Sequence, residues 1–259
     1  MIPVIGTAVV FDTYWVARLL ASVDFPVENF FIVNNNGKGE ITEDLDNLAK
    51  IKHRYIKKIH VCHMPANMGV SFSWNLIIKS YMMAPYWVIV NDDVSFGPGL
   101  LAEMHHKITN DPEVGMIHAN GGDFSVGSWD LFLIRDAVVK QYGLFDENMY
   151  PAYSEDDDYI MRLVHKPIKK ILGLEANYYH GAGDKTQYHF YGGNTRRRDP
   201  AFQEKVDAAR DLNIDYLTDK WGIYWRTCWP TFEPWEGKPH HLSEQRYDLE
   251  FIRSKYVGF

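Results

Sequence analysis

Short apolar runs alternate regularly with segments of helical periodicity along the first half of this chain. The apolar runs are IPVIGTAVVF, FFIVNNNG, KKIHVCH and YWVIVND, each of strand length. Helical patterns cover about residues 13–23, 42–54 and 71–83, and a fourth begins in FGPGLLAEM, where Pro98 suits a first turn. The alternation predicts an α/β fold: a mostly parallel, doubly wound sheet flanked by helices.

The second half of the chain follows a different pattern. VGMIHANG and SWDLFLIRD are typical of strands, but no full helical crossover separates them, which predicts a smaller mixed sheet or hairpin. Beyond residue 199 come one more helical pattern, AFQEKVDAARDL, and an aromatic-rich tail with four of the eight tryptophans. We therefore expect one domain over residues 1–199, in halves 1–110 and 111–199, with 200–259 as a helical and aromatic extension packed on it.

Composition and charge exclude several classes of protein. The net charge of −7 argues against nucleic-acid binding driven by overall charge. Cys62 and Cys228 supply neither a disulfide framework nor a paired-cysteine zinc site, which favours a reducing compartment. The apolar N-terminus has no basic leader, and no apolar stretch reaches membrane-spanning length. We expect a cytoplasmic protein with no nucleic-acid partner and no membrane anchor of its own.

Polar, asparagine-rich segments follow three of the predicted strands, at residues 34–37, 67–71 and 91–95. In doubly wound sheets the loops at the carboxyl ends of the strands hold the ligand. Asp93 is a candidate metal ligand, because Mg²⁺ and Mn²⁺ prefer oxygen donors and often combine one or two carboxylates with substrate phosphates. His180, after another strand-like run, is a candidate second ligand. An ordinary turn and an ordinary hydrogen-bonded histidine are the alternatives.

The stretch SEDDDYIMRL places four acidic residues at the start of a predicted helix. Ser154 suits the N-cap and Asp157 is placed to complete a capping box, while acids also favour the positive end of the helix dipole. Helical spacing sets Asp158 beside Arg162, a candidate structural ion pair, whereas Asp156 points elsewhere. One or two acids would satisfy the cap and the dipole, so this run alone leaves a structural and a chemical role open.

The order of NNNG, NMGVSFSWN, VNDDVSFGPGLL, LFLIRD, GLFDENMYPAYSEDDDYIMRL and the later histidine resembles the GT-A nucleotide-sugar glycosyltransferases, especially those of the inverting family 2 type. The EDDD spelling is also similar to that of β4-galactosyltransferases. The resemblance covers roughly residues 1–190. It implies a GT-A, Rossmann-like fold with a nucleotide-binding half, 1–110, and an acceptor or catalytic half, 111–199.

The resemblance also implies roles for individual residues. Asp156 matches the catalytic base, and Glu155 is its acidic neighbour facing acceptor or substrate. Asp93 and His180 would bind Mn²⁺ or Mg²⁺. The residues expected at the nucleotide are Thr7, Ala8, Asp12, Asn34, Asn35, Asn67, Gly69, Asn75, Asn91, Asp92 and Asp93. Gly183, Lys185 and 196–198 are candidates for a lid on the diphosphate, with solvated surface charge as the alternative.

The resulting expectation is a metal-dependent inverting glycosyltransferase. It would move a sugar from a nucleotide-diphosphate donor, with a UDP-sugar favoured, to a hydroxyl of a glycan or glycoprotein acceptor. Many relatives carry an aspartate after the second strand where this chain has Asn34 and Asn35, which leaves the base open. The alternatives are a nucleotidyltransferase, although GTAVVFDTYW lacks a Gly-rich basic loop, and a noncatalytic nucleotide- or carbohydrate-binding module.

Overall fold

The computed structural model describes residues 1–119, 129–166, 170–175, 178–181, 199–222 and 234–237. The strands are β1 Ile2–Val9, β2 Val27–Asn34, β3 Ile56–His63, β4 Tyr86–Val90, β5 Val94–Phe96, β6 Val114–His118, β7 Leu131–Arg135, β8 Lys170–Gly173 and β9 Tyr178–His180. The helices are α1 Thr13–Ala21, α2 Thr42–Ala49, α3 Val70–Ser80, α4 Leu100–Asn110, α5 Asp136–Tyr142, α6 Glu155–His165 and α7 Pro200–Trp221, with a 3-10 turn at Pro234–Gly237. None of the helices in these ranges is long and apolar enough to span a bilayer.

Seven strands form one mixed sheet in the order β3-β2-β1-β4-β7-β6-β8. The four strands β3, β2, β1 and β4 are parallel, as the alternating pattern predicts. β7 runs antiparallel to both β4 and β6, and β8 runs parallel to β6. The predicted α/β class and the predicted mixed second part are therefore confirmed. β5 and β9 form a separate two-stranded antiparallel sheet.

Helices cover both faces of the large sheet, because alternate residues of its central strands point to opposite layers. Ile5 of β1 belongs to one hydrophobic cluster with Leu19 of α1 and side chains of α2 and α4. Val4 belongs to a second cluster with Ile77 of α3 and side chains of α5 and α6. A Cβ on Gly6 would lie 2.4 Å from Ile77 Cγ2, so glycine lets α3 pack directly on β1.

Helices α2 and α4 differ in their bounds from the sequence predictions. α2 ends at Ala49 rather than near residue 54, and residues 50–55 instead form the connection into β3. α4 begins at Leu100, after Gly99 in a left-handed conformation (φ 80°), so Pro98 precedes the helix and does not lie in its first turn. β5 was not predicted, since three residues are too few to show a strand period.

The last described helix is longer than predicted. AFQEKVDAARDL ends at residue 212, but α7 continues to Trp221. Leu217 and Trp221 are buried against Met149 and Met161 of the second half of the chain. Tertiary packing thus extends the helix beyond its local pattern, and residues 200–221 pack against residues 149–161.

Candidate active site

A cavity of about 470 Å³ opens at the carboxyl ends of the parallel strands. Its volume lies within the range of about 300–1,000 Å³ that is typical of ligand pockets. The structure brings many of the predicted residues together on its wall: Ala8, Asn35, Asn67, Gly69, Asn91, Asp92, Asp93, Glu155, Asp156 and His180. They come from loops far apart in the chain, which meet because parallel strands end at the same edge of the sheet.

Four residues expected at the nucleotide, Thr7, Asp12, Asn34 and Asn75, are not among the residues that line this cavity. Thr7 is fully buried within β1. Asp12 is the N-cap of α1, where its Oδ1 accepts a hydrogen bond of 2.9 Å from the Tyr14 backbone. Asp12 therefore serves the start of a helix, the ordinary role of an aspartate at this position.

The side-chain amides of Asn34 and Asn75 form hydrogen bonds to other residues of the protein. Asn34 Nδ2 lies 2.9 Å from Nδ1 of His63 on the neighbouring strand β3. Asn75 donates to the Phe145 carbonyl at 2.9 Å and to the Glu147 carboxylate at 2.8 Å, and its Oδ1 accepts from the Phe145 backbone. Asn75 thus connects α3 to residues 145–147, a long-range contact that the local sequence does not show.

Gly69 and Asn35 form the wall at the start of α3. Asn35 Nδ2 donates to Ser73 Oγ at 2.7 Å and to the Gly69 carbonyl at 3.3 Å. Gly69 has φ 84°, and a Cβ there would lie 2.9 Å from the Pro151 carbonyl oxygen. The Val70 backbone donates to the same oxygen at 2.8 Å. Glycine is required because two loops of the cavity wall approach each other at this point.

The two candidate metal ligands are brought together by the small β5–β9 sheet. Val94 pairs with His180, and the Gly181 backbone donates to the Asp93 carbonyl at 2.8 Å. His180 Nε2 lies 3.2 Å from Asp93 Oδ1, and His180 Nδ1 lies 2.9 Å from Asp130 Oδ2. Asp130 was not predicted, because nothing in its neighbourhood in the sequence marks it as a partner of His180.

The electrostatics of this group suit a cation. Burial would lower the pKa of His180, but hydrogen bonds to Asp130 and Asp93 outweigh it and raise the pKa to about 10. Burial, and then the charge of Asp93, raise the pKa of Asp92 well above 3.8. The raised pKa keeps His180 protonated beside Asp93, so a metal ion bound at this pair would displace that proton. The Asp93 oxygens and the neutral His180 imidazole are donors that suit Mn²⁺.

Asp93 and His180 would supply only part of the coordination sphere of a bound cation. The described ranges contain no group of three or more protein ligands arranged for a metal. A cation held by Asp93 and His180 would therefore take its other ligands from substrate phosphates and water, the usual arrangement for such ions. Asp130, holding the other ring nitrogen, would fix the orientation of the imidazole, as outer-shell carboxylates do in metal sites.

The acidic start of α6 forms the other charged part of the wall. Glu155 is buried, and its Oε2 has no hydrogen-bond partner among the described residues. Burial, followed by the charge of Asp156, raises the pKa of Glu155 well above 4.5. Asp156 is partly exposed at the cavity, and its Oδ1 accepts from the Asp157 backbone at 2.9 Å. Burial, together with like-charge crowding, therefore favours a neutral Glu155 beside Asp156.

The helix start itself differs from the expected capping box. Ser154 occupies the predicted N-cap position, but its side chain makes no capping hydrogen bond, so the Ser154 half of the expected capping box is absent. Tyr153 and Ser154 both have φ 74°, in the left-handed region. Such conformations cost on the order of 1–3 kcal/mol each and persist only where surrounding contacts impose them.

Asn213 of α7 supplies such contacts. Its Nδ2 lies 3.3, 3.0 and 3.1 Å from the carbonyl oxygens of Tyr150, Ala152 and Tyr153, and the residue is fully buried. Three backbone carbonyls of the segment before α6 are thus held by one side chain of the C-terminal helix. Phe202 of the same helix lines the cavity.

Asp158 has a structural role. Its carboxylate accepts hydrogen bonds from Arg162 Nε at 2.9 Å and Trp221 Nε1 at 3.0 Å, and Lys220 Nζ lies 2.7 Å from it. Lys220 also pairs with Asp146 at 2.8 Å. The predicted ion pair with Arg162 is confirmed, and the same carboxylate connects α6 to α7. The candidate lid at 183, 185 and 196–198 and most of the aromatic tail lie outside the described residues.

The fold defined by this sheet and cavity is the α/β fold of GT-A glycosyltransferases. Among the solved structures that share it is the mannosyltransferase PcManGT from Pyrobaculum calidifontis in complex with GDP-Man and Mn²⁺, with a TM-score of 0.54 and 13% identity over 82% of this chain and 64% of that chain. GalNAc-T7 with UDP, GalNAc and Mn²⁺ has a TM-score of 0.59 and 11% identity over 99% of this chain and 58% of that chain. TarS 1-349 of S. aureus in complex with UDP-GlcNAc has a TM-score of 0.55 and 13% identity over 99% of this chain and 78% of that chain.

Sequence comparison gives a more distant likeness. No family model matches the chain. A galactofuranosyl glycosyltransferase of Leishmania donovani is 22% identical, in a match that covers 69% of this chain. The chain spans 56% of the length of that protein.

Proposed function

We propose that this protein is a glycosyltransferase that uses a nucleotide-diphosphate sugar together with Mn²⁺ or Mg²⁺. One observation carries the proposal: a single cavity presents both the Asp93–His180 pair and the Glu155–Asp156 pair. Glycosyl transfer needs positive charge at the departing diphosphate and a base at the attacking hydroxyl. The solved relatives with Mn²⁺ and with UDP or GDP-Man support the same assignment.

The donor end of the reaction belongs to Asp93 and His180. They would hold the cation, which supplies positive charge to the diphosphate leaving group. Asp130 keeps the His180 ring in place through Nδ1 at 2.9 Å. Asn35 and Gly69 line the cavity wall nearby and leave room for the nucleotide. A UDP-sugar is our favoured donor.

The acceptor end belongs to the start of α6. Asp156 would accept the proton of an acceptor hydroxyl as that oxygen bonds to the anomeric carbon and the bond from this carbon to the diphosphate oxygen breaks, with inversion. Glu155, kept neutral by burial, would donate a hydrogen bond to a sugar hydroxyl. Trp74, Trp129 and Phe202 supply apolar surface in the same cavity that suits a sugar ring. We propose a glycan or glycoprotein as acceptor.

Donor binding is tested first, by thermal shift with UDP, GDP, dTDP and CMP, each with and without Mn²⁺. We expect UDP to stabilise the protein only with Mn²⁺, by about 2.7 kcal/mol at a hundredfold excess over Kd. Asp93→Ala should abolish this shift. Asp46→Ala is the matched control. Asp46 Oδ1 lies 3.0 Å from His63 Nε2, and neither residue lines the cavity. If no nucleotide stabilises the protein, or if both variants respond alike, the assigned site is wrong.

Catalysis is tested with Asp156→Asn. This variant should retain the Mn²⁺-dependent UDP shift but lose release of UDP from a panel of UDP-sugars, with water or simple sugars as acceptors. Asp157→Asn, next in the chain but not on the cavity wall, is the control. Full activity of Asp156→Asn would exclude it as the base. Binding without turnover in the wild type would indicate a noncatalytic module. Release of pyrophosphate in a separate assay with UTP and a sugar 1-phosphate would indicate a nucleotidyltransferase.

A further inference from the structure

The densest run of lysines and arginines in the sequence lies outside the lining of the candidate active site, in residues 50–60, KIKHRYIKKIH. This segment, here called the basic edge, contains five lysines and arginines, two histidines and no acid, although the chain carries a net charge of −7. It comprises the connection after α2 and most of β3, which is one of the two edge strands of the seven-stranded sheet. All five cationic residues are exposed.

The charge of the basic edge is not neutralised locally. Within the described part of the chain, none of its lysines and arginines forms an ion pair. Lys50 Nζ donates to the neutral Asn47 side chain at 3.2 Å, and the Arg54 guanidinium lies 5.1 Å from the centroid of the Tyr55 ring. The segment therefore presents a positive field to solvent, which attracts anionic surfaces.

Exposed apolar side chains accompany this charge. Ile51, between two lysines of the basic edge, is 54% exposed. Met82 and Met83 are 67% and 91% exposed, and they follow Tyr81, whose ring lies 6.3 Å from that of His60. Cations together with exposed apolar side chains are typical of surfaces that enter the headgroup region of a bilayer.

Protection of an edge strand is the simpler explanation to weigh. Lysines on an edge strand prevent pairing with other chains, and this accounts for Lys57 and Lys58. It does not account for Lys50, Lys52 and Arg54, which precede the strand, or for the exposed isoleucine and methionines. A nucleic-acid partner would use the cations but would leave the apolar side chains without a role.

We propose that the basic edge, with Ile51, Met82 and Met83, docks the protein on the surface of an anionic lipid bilayer. The connections into β3 and β4 lie at the amino ends of these parallel strands, whereas the cavity lies at their carboxyl ends. Docking through the basic edge therefore leaves the cavity open. This docking proposal holds whether or not the protein is a glycosyltransferase.

The test is flotation of the full chain with phosphatidylcholine vesicles and with vesicles containing about one third phosphatidylglycerol, at low and at high salt. We expect binding to the anionic vesicles only, and loss of binding at high salt because the attraction is screened. The variant Lys52→Gln/Lys57→Gln/Lys58→Gln should reduce partitioning at least about tenfold. Lys38→Gln/Lys107→Gln/Lys140→Gln removes the same charge from other exposed positions and should leave partitioning nearly unchanged.

Ile51→Ser separates a bilayer from other polyanions. It keeps every charge, so it should weaken vesicle binding while leaving any binding to a short DNA duplex unchanged. Circular dichroism and thermal unfolding establish that all variants are folded. Equal binding to neutral and anionic vesicles, no binding to either, or equal losses in the two triple variants would overturn the proposal. DNA binding combined with vesicle binding that is insensitive to Ile51→Ser would assign the surface to nucleic acid.

Discussion

Lys220→Met tests whether a buried ion pair stabilises the packing of helix α7 against helix α6. Lys220 is 9% exposed, and its ammonium lies 2.7 Å from Asp158 and 2.8 Å from Asp146. Removing one member of a buried ion pair costs about 3–5 kcal/mol, because the remaining charge stays desolvated. Asp158 keeps its hydrogen bonds to Arg162 and Trp221 in this variant. We therefore expect the free energy of unfolding to fall by about 3 kcal/mol, the lower end of that range.

The assay is urea unfolding near neutral pH, followed by the same measurement in acid. Burial would raise the pKa of Asp146, but the charge and hydrogen bond of Lys220 outweigh it and hold the pKa below its ordinary 3.8. A carboxyl group with a lowered folded-state pKa stabilises the protein above its unfolded pKa, and this stabilisation is lost as pH falls through the folded pKa. The difference between wild type and Lys220→Met should therefore narrow below about pH 4.

Two further variants separate charge from other effects. Lys205→Met removes an exposed lysine of the same helix and should change the free energy of unfolding by no more than about 0.5 kcal/mol. Asp146→Asn/Lys220→Met removes one carboxylate together with the cation and should recover part of the loss. A cost below about 1 kcal/mol for Lys220→Met, or a cost that grows in acid, would refute the argument from buried charge.

Three other changes probe the cavity wall. Asn213→Ala removes the donor to three carbonyls and should speed amide hydrogen exchange in residues 150–158, whereas Leu212→Ala, at a side chain 54% exposed on the same helix, should not. Gly69→Ala must place a side chain at φ 84° and 2.9 Å from a carbonyl oxygen, so urea unfolding should show a loss of at least about 1–2 kcal/mol; an unchanged midpoint would contradict the close approach. Asp130→Asn should weaken Mn²⁺-dependent UDP binding about 10–100-fold by calorimetry, since His180 loses the carboxylate on Nδ1; unchanged affinity would remove Asp130 from the site.

Much of the fold follows from local patterns in the sequence. The first four predicted strands and the helices between them are present, and β6 and β7 pair as the change of pattern after residue 114 indicates. The loops at the carboxyl ends of these strands, including Asn67, Gly69 and Asp93, lie on one cavity. These features are predictable because side-chain period and turn composition are properties of a few neighbouring residues.

Contacts between distant segments were not predictable in the same way. Asp130, Asn213 and Phe202 carry no local mark of their roles, and the four acids at residues 155–158 look alike in the sequence. The structure separates them: Asp158 is buried among cations, whereas Glu155 and Asp156 line the cavity. Burial and the identity of the neighbouring charges decide what a carboxyl group can do, and both depend on which distant segment packs beside it.

Short-range periodicity and the common direction of parallel strands are enough to predict the α/β architecture and the edge of the sheet where a ligand would bind. Which side chains meet at that edge depends on contacts between segments far apart in the chain. The three-residue strand β5 pairs with β9 and sets His180 beside Asp93, and α7 holds the segment before α6 through Asn213. Both contacts join residues distant in the chain, and packing of the whole domain fixes where they lie.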